Sequence, residues 1–308
     1  MDAGHAGMGK TKRYSGDTLR DYAQLLTRSE VTKLVEGEDF STINHFIRRY
    51  DAKAFLSGKT YGKYFTHVYT ALRGHYVNEY VVKNEFITYG LQQLSLCDDD
   101  SKVHVYSEFK IGDAIADLAL FNGHSVGIEI KSYLDSPSRL GYQLPRYLDF
   151  FNSTYIIVPA GGINAYKPFA TDARVGLIAF DARGKRFTVE KKAQRNATLS
   201  PRRVMEVLRT AEYKRIVREY FAVDSLDGEN DFNRFELYGS KLATIPREEL
   251  NRLVVGVLKE RGTPISVFTR RHSEFNQAFL ALKSSRDFRN KLYSILDRPI
   301  LTDGEWIN

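Results

Sequence analysis

Between Ile115 and Lys131 the chain reads IADLALFNGHSVGIEIK, two apolar segments around Asn122-Gly123. Alternating strands about an Asn-Gly pair predict a β-hairpin, and little else fits that pattern. The register follows from the apolar positions. A two-residue loop at Asn122-Gly123 would pair Asp117 with Ile128 and put Glu129 on the opposite face. A three-residue loop, Asn122-Gly123-His124, pairs Leu120 with Val126 and Leu118 with Ile128. With Ile130, all the large aliphatic side chains then share one buried face. The same register pairs Asp117 with Glu129 on the other face. Lys131 joins them, because residues two apart on a strand point the same way.

Two carboxylates one cross-strand step apart repel each other unless a cation or a proton lies between them. Oxygen-only ligation suits Mg2+ or Mn2+, and magnesium prefers a few carboxylates plus substrate phosphate to a closed protein cage. A neighbouring lysine can orient or deprotonate a water and offset charge that develops on phosphorus. The plain alternative for the same three residues is an ion-pair ladder on an exposed sheet face.

Around this hairpin the texture of the sequence changes twice. Apolar spacing predicts helices over 17–36, 41–50 and 69–94, the last with Val77, Tyr80, Val81, Ile87, Leu91 and Leu94 on one stripe. Short β-branched runs follow at 103–109, 115–121, 126–133, 154–158 and 175–181, with a further strand at 187–190. A helix over 137–151 between two of them makes a β-α-β element. After a polar stretch the chain is helical again, over 201–221, 246–261 and 273–296. The domains expected from this are a tail (1–15), a helical extension (16–60), an α/β core (61–190), a linker (191–199) and a helical domain (200–308).

The segment Gly4-His5-Ala6-Gly7-Met8-Gly9-Lys10-Thr11 fits a phosphate-binding loop letter for letter. Such a loop follows a buried strand and opens a helix. Only three residues precede Gly4 and no amphipathic helix follows Thr11, so the match reads as coincidence.

Asp117, eleven residues, then Glu129-Ile130-Lys131 resembles the PD-(D/E)xK nuclease superfamily. Gln143-Leu144-Pro145-Arg146-Tyr147 is similar to the Q-x-x-x-Y motif of its RecB-like branch. Asn78-Glu79-Tyr80 lies where members carry a further helix carboxylate. Ser107-Glu108-Phe109-Lys110, Asp135 and Arg139-Leu140 are similar to a bacterial and phage-associated group in that superfamily. The resemblance implies an α/β restriction-endonuclease-like core, a mixed central sheet flanked by helices. It implies Asp117, Glu129 and Glu79 as ligands of Mg2+ or Mn2+, and Lys131 as the residue assisting the attacking water. Gln143, Tyr147 and Arg139 would bind substrate. Glu85 competes with Glu79 for the helix position, and the resemblance favours Glu79. Ala116 stands where the idealised motif has proline. Pro145 predicts a helix that starts or bends there.

The net charge of +7 is concentrated at residues 191–308, which carry twenty-two basic and sixteen acidic side chains. Arg202, Arg203, Arg209, Lys214, Arg215 and Arg218 crowd the first helix of that region. Such a surface suits a polyanion such as nucleic acid through phosphate contacts, and the nuclease resemblance makes DNA the expected partner ahead of RNA. A homodimer, and a protein partner through the C-terminal helices, are compatible with it. No apolar run is long enough to span a bilayer, so no membrane is expected. A single cysteine, Cys97, fits a reducing cytoplasm. The function expected is metal-dependent hydrolysis of nucleic acid. The alternatives are a nuclease fold that binds DNA without cutting it, and a helical interaction protein with a structural α/β core.

Overall fold

The computed structural model describes residues 14–55, 58–97, 102–133, 135–196 and 199–300. The Gly4–Thr11 match, and residues 1–13 of the expected tail, lie outside them. The chain divides into two compact units, Met1–Tyr76 with Ser294–Asn308, and Val77–Tyr293.

The first unit is helical. Its longest helix is Tyr61–His75, and buried Asp51 accepts hydrogen bonds from the hydroxyls of Tyr22 and Tyr64. A bridge between Thr60 and Pro299 ties the C-terminal segment to it.

The second unit is mixed α/β. Its seven strands are β1 (His104–Ile111), β2 (Ala114–Asn122), β3 (His124–Ile130), β4 (Ser153–Pro159), β5 (Val175–Asp181), β6 (Arg186–Lys191) and β7 (Thr263–Pro264). They lie in the order β6-β5-β4-β3-β2-β1-β7. β3, β4 and β5 run parallel and the remaining pairs are antiparallel.

The hairpin adopts the register that its apolar pattern requires. Leu118 pairs with Ile128, Leu120 with Val126 and Asn122 with His124, leaving Gly123 at the turn with φ +68°. Leu118, Leu120, Val126, Ile128 and Ile130 pack in one cluster with Val82, Phe86 and Ile87. The other face carries Ala119 and Phe121, packed with Phe109, Tyr147 and Phe151. At Gly127 a Cβ would stand 2.1 Å from the Phe151 ring, so only glycine admits that ring. β1 is not regular. Ser107 pairs with Leu118 and Phe109 with Ala116, while Glu108 between them is left-handed at φ +54°. This is a bulge.

The expected 69–94 helix is broken. Helix Tyr61–His75 ends, and Asn78 Oδ1 accepts from the Val81 amide at 3.0 Å to start helix Glu79–Glu85. An N-capping asparagine satisfies otherwise orphaned donors, which fixes the new start there. The helix after β3 runs Leu140–Leu148 straight through Pro145. Its buried stripe of Leu140, Leu144, Tyr147 and Leu148 holds it on the sheet despite the bond Pro145 cannot make.

The compact units do not divide at the boundaries expected from sequence. The 191–199 stretch is strapped to the core: the Asn196 amide donates to Asn152 O at 2.6 Å, and Asn196 Nδ2 donates to Leu148 O at 2.6 Å. The helices Pro201–Val207, Thr210–Phe221, Arg234–Ala243 and Arg247–Arg261 do not form a separate domain either. Val204, Met205, Leu250, Val254 and Leu258 share one core with Tyr106, Phe109 and Phe121 of the sheet. The physical reason is that both faces of β1 and β2 bear large apolar side chains, and each needs cover.

Candidate active site

A cleft of about 360 Å³ brings together Glu79, Asp113, Asp117, Glu129, Lys131, Asp135, Arg139, Tyr142 and Gln143. Asp117 comes from β2 and Glu129 from β3, and both reach the same cleft, as the hairpin register requires. Asp117 Oδ2 accepts from the Ile130 amide at 2.6 Å, across the mouth of the hairpin. Lys131 follows β3 directly. Its amide donates to Ile157 O at 2.9 Å, and its Nζ lies 2.6 Å from Glu129 Oε1. Beyond it, Asp135 Oδ2 accepts from the Ser132 amide and hydroxyl at 2.8 and 2.7 Å, closing the turn that holds Lys131 in place.

Glu129 is held from its other side by Tyr147. The Tyr147 hydroxyl lies 2.7 Å from Glu129 Oε2 and 2.5 Å from Ile115 O. One phenolic proton cannot fully serve both acceptors. Gln143 Nε2 donates weakly to the same hydroxyl at 3.4 Å, while Gln143 Oε1 has no hydrogen-bond partner among the described residues. The Q-x-x-x-Y pair is therefore at the site, with tyrosine as the support of the glutamate and glutamine at the cleft wall. Arg139 lines the cleft and forms no ion pair among the described residues.

Glu79 reaches the cleft by an unexpected route. Its carboxylate pairs with Lys83, one turn along the same helix, and Lys83 Nζ lies 3.1 Å from Asp117 Oδ1. Lys83 thus stands between the two carboxylates. Among the described residues no three His, Cys, Asp or Glu side chains converge as a metal-holding group. The expected set of Asp117, Glu129 and Glu79 does not close as one ligand shell, because an ammonium fills the gap. Glu85 is buried and does not line the cleft.

Burial pushes the Asp117 carboxyl up to about 7, and the neighbouring charges of Glu129 and Glu79 push the same way. Lys83 and the Ile130 amide oppose them. For Lys83, burial works against the charge, but Asp117 and Glu79 outweigh it and hold the ammonium above its ordinary range.

Sequence reasoning missed Lys83. A Glu-x-x-x-Lys spacing usually marks a solvated helix pair. The signal was the run Val81-Val82-Lys83-Asn84-Glu85-Phe86-Ile87, which is buried throughout and leaves no polar face.

The basic C-terminal helices carry less available charge than their composition suggests. Arg203 pairs with Glu206 at 2.6 Å, Arg215 with Glu260 at 2.7 Å, and Lys214 with Glu229. Arg202 lies 3.5 Å from Glu206. Arg209 and Arg218 form no ion pair among the described residues.

No helix among the described residues is long and apolar enough to cross a membrane. No curated protein matches the chain. The solved SPO1766 protein of unknown function from Silicibacter pomeroyi is similar over 42% of this chain and 86% of its own, at 18% identity and a TM-score of 0.27. A family model described as bacteriophage P4 protein cII matches residues 73–291, a span that contains the whole cleft, and the chain belongs to that family.

Proposed function

We propose that the chain is a divalent-metal-dependent nuclease acting on DNA, with the cleft of Asp117, Glu129 and Lys131 as its active centre. The observation that carries this reading is the convergence of the three side chains, with Lys131 2.6 Å from Glu129, and Asp117 on β2 accepting from the Ile130 amide of β3.

The donor set suits a hard cation. Asp117 and Glu129 offer oxygen ligands, and burial together with mutual repulsion makes Asp117 a poor place for an uncompensated charge. Asp117 and Glu129 are the residues that would hold Mg2+ or Mn2+, with water and phosphate oxygens completing the shell. When bound, such an ion supplies Lewis acidity and lowers the pKa of water. The chain's own groups do the rest. Lys131 orients the attacking water and offsets charge at phosphorus. Tyr147 fixes the Glu129 carboxylate. Gln143 and Arg139 position the scissile strand.

One observation favours a second reading, a nuclease fold that binds DNA without cutting. Lys83 already occupies the neighbourhood where a third ligand would lie. The test is cleavage of plasmid and single-stranded DNA in Mg2+ and Mn2+, with Lys131→Ala as control and calorimetric titration of the metal. Cutting that is lost in Lys131→Ala and in EDTA supports the nuclease. DNA binding with no cutting in either metal supports the second reading.

A further inference from the structure

The walls of the cleft are acidic. Glu79, Asp113, Asp117, Glu129 and Asp135 face it, against Lys131 and Arg139, with the Lys83 ammonium set between Glu79 and Asp117. Lys131 is committed to Glu129, and Arg146 behind the wall is committed to Asp113. Phosphate attraction alone is therefore a weak source of affinity here. The same cleft also presents exposed apolar surface. Seven large apolar side chains are exposed among the described residues, and two of them, Ile115 at 51% and Tyr142 at 48%, line it.

Tyr142 is also held rigidly. Its hydroxyl donates to Asp113, and the Arg146 guanidinium packs 3.6 Å from its ring centroid. Arg146 is fixed in turn by a forked pair to the same Asp113, at 2.8 and 3.1 Å. Arg146 and Tyr142 hold the Asp113 carboxyl well below the usual carboxylate range. A ring with its tilt and its hydroxyl both fixed, yet half open to solvent, loses little entropy on stacking. Rigid aromatic surfaces beside a backbone-tracking groove are how proteins hold bases that are not paired.

From this geometry we infer that Tyr142, with Ile115 lining the same cleft, is a stacking platform for an unpaired base, so that the substrate at this cleft is single-stranded DNA rather than intact duplex. The inference rests on the nuclease reading for the nature of the ligand, and not for whether cutting occurs.

The experiment measures binding of the full chain to a short single strand carrying a fluorescent adenine analogue, and to the same sequence as a blunt duplex. Calcium replaces magnesium, so that the readout is binding and not cleavage. The single strand should bind about tenfold tighter than the duplex, with quenching of the base. Tyr142→Ala should lose about tenfold in affinity, together with the quenching. Tyr142→Phe should retain most of both, and Phe232→Ala, at a fully exposed ring elsewhere, should change neither. Equal or tighter binding of duplex overturns the inference, as does wild-type affinity and quenching in Tyr142→Ala, or no binding of either DNA. Stacking as expected in a protein that never cuts DNA leaves the platform standing and removes the nuclease.

Discussion

Lys83 Nζ stands 3.1 Å from Asp117 Oδ1, and the lysine side chain has almost no contact with solvent. A buried ammonium of this kind is a structural counter-ion to the carboxylate. It holds Asp117 in place and competes with any cation that would use the same oxygen.

Removing that ammonium therefore has two consequences. Lys83→Met should destabilise the protein by up to about 3 kcal/mol in EDTA, because a buried carboxylate loses its partner. Part of that loss should return on adding millimolar Mg2+, and the metal should bind more tightly than to the wild type. Denaturant melts with and without metal, beside calorimetry, read both effects. A deficit that metal leaves untouched would separate Lys83 from the metal-binding role proposed for Asp117.

Asp117 makes stability depend on pH in an unusual direction for a carboxylate. Its folded pKa, about 7, lies above the value of about 4 that it has in an unfolded chain. As pH rises between those values the unfolded chain ionises while the folded one keeps its proton. Native stability therefore falls across that window, and above it the loss is constant. Asp117→Asn should remove the slope, so the variant should gain on the wild type from about pH 4 to about pH 7. A gap between the two melting curves that stays flat across that range would count against the burial argument.

Tyr147→Phe should cost about 1–3 kcal/mol, since Ile115 O and Glu129 lose a shared buried donor. If Glu129 acts in the reaction, kcat should drop with KM little changed, because the substrate does not meet the phenol. A change in KM alone would place Tyr147 in binding.

Gly127→Ala tests the scaffold beneath the site. A new methyl meets the Phe151 ring, itself wedged among Phe109, Phe121, Tyr147 and Phe150. Overpacking there should cost at least about 2 kcal/mol, measured by chemical denaturation. A near-neutral result would mean that this aromatic cluster is loosely packed.

What the sequence disclosed depended on periodicity. The hairpin was legible to the residue, since a slip of one position would have turned Leu118 and Ile128 outward. The placement of Asp117, Glu129 and Lys131 followed from it. Glu79 was legible as a residue of the site and not in its role, because one helix face cannot say that Lys83 will be buried against Asp117. Spacing along 201–261 pointed to helices, but the expected 201–221 helix is two, Pro201–Val207 and Thr210–Phe221, the helix Arg234–Ala243 was not expected, and a stripe does not name what it covers. Val204 and Leu258 share one buried cluster with Tyr106 and Phe109 of the sheet. β7, two residues ending in Pro264, is too short to carry any period. The break at Asn78 left a visible cap, overridden by the continuing apolar stripe on either side.

The left-handed backbone at Glu108 matters for the margin of the sheet. Open sheets are prone to grow by recruiting strands from other molecules along any flat margin. Here one margin is bent at Glu108 and stopped by Pro264, and the other is the charged strand Arg186–Lys191. Charge on one margin, and a left-handed residue and a proline on the other, are features that discourage edge-to-edge growth of a sheet.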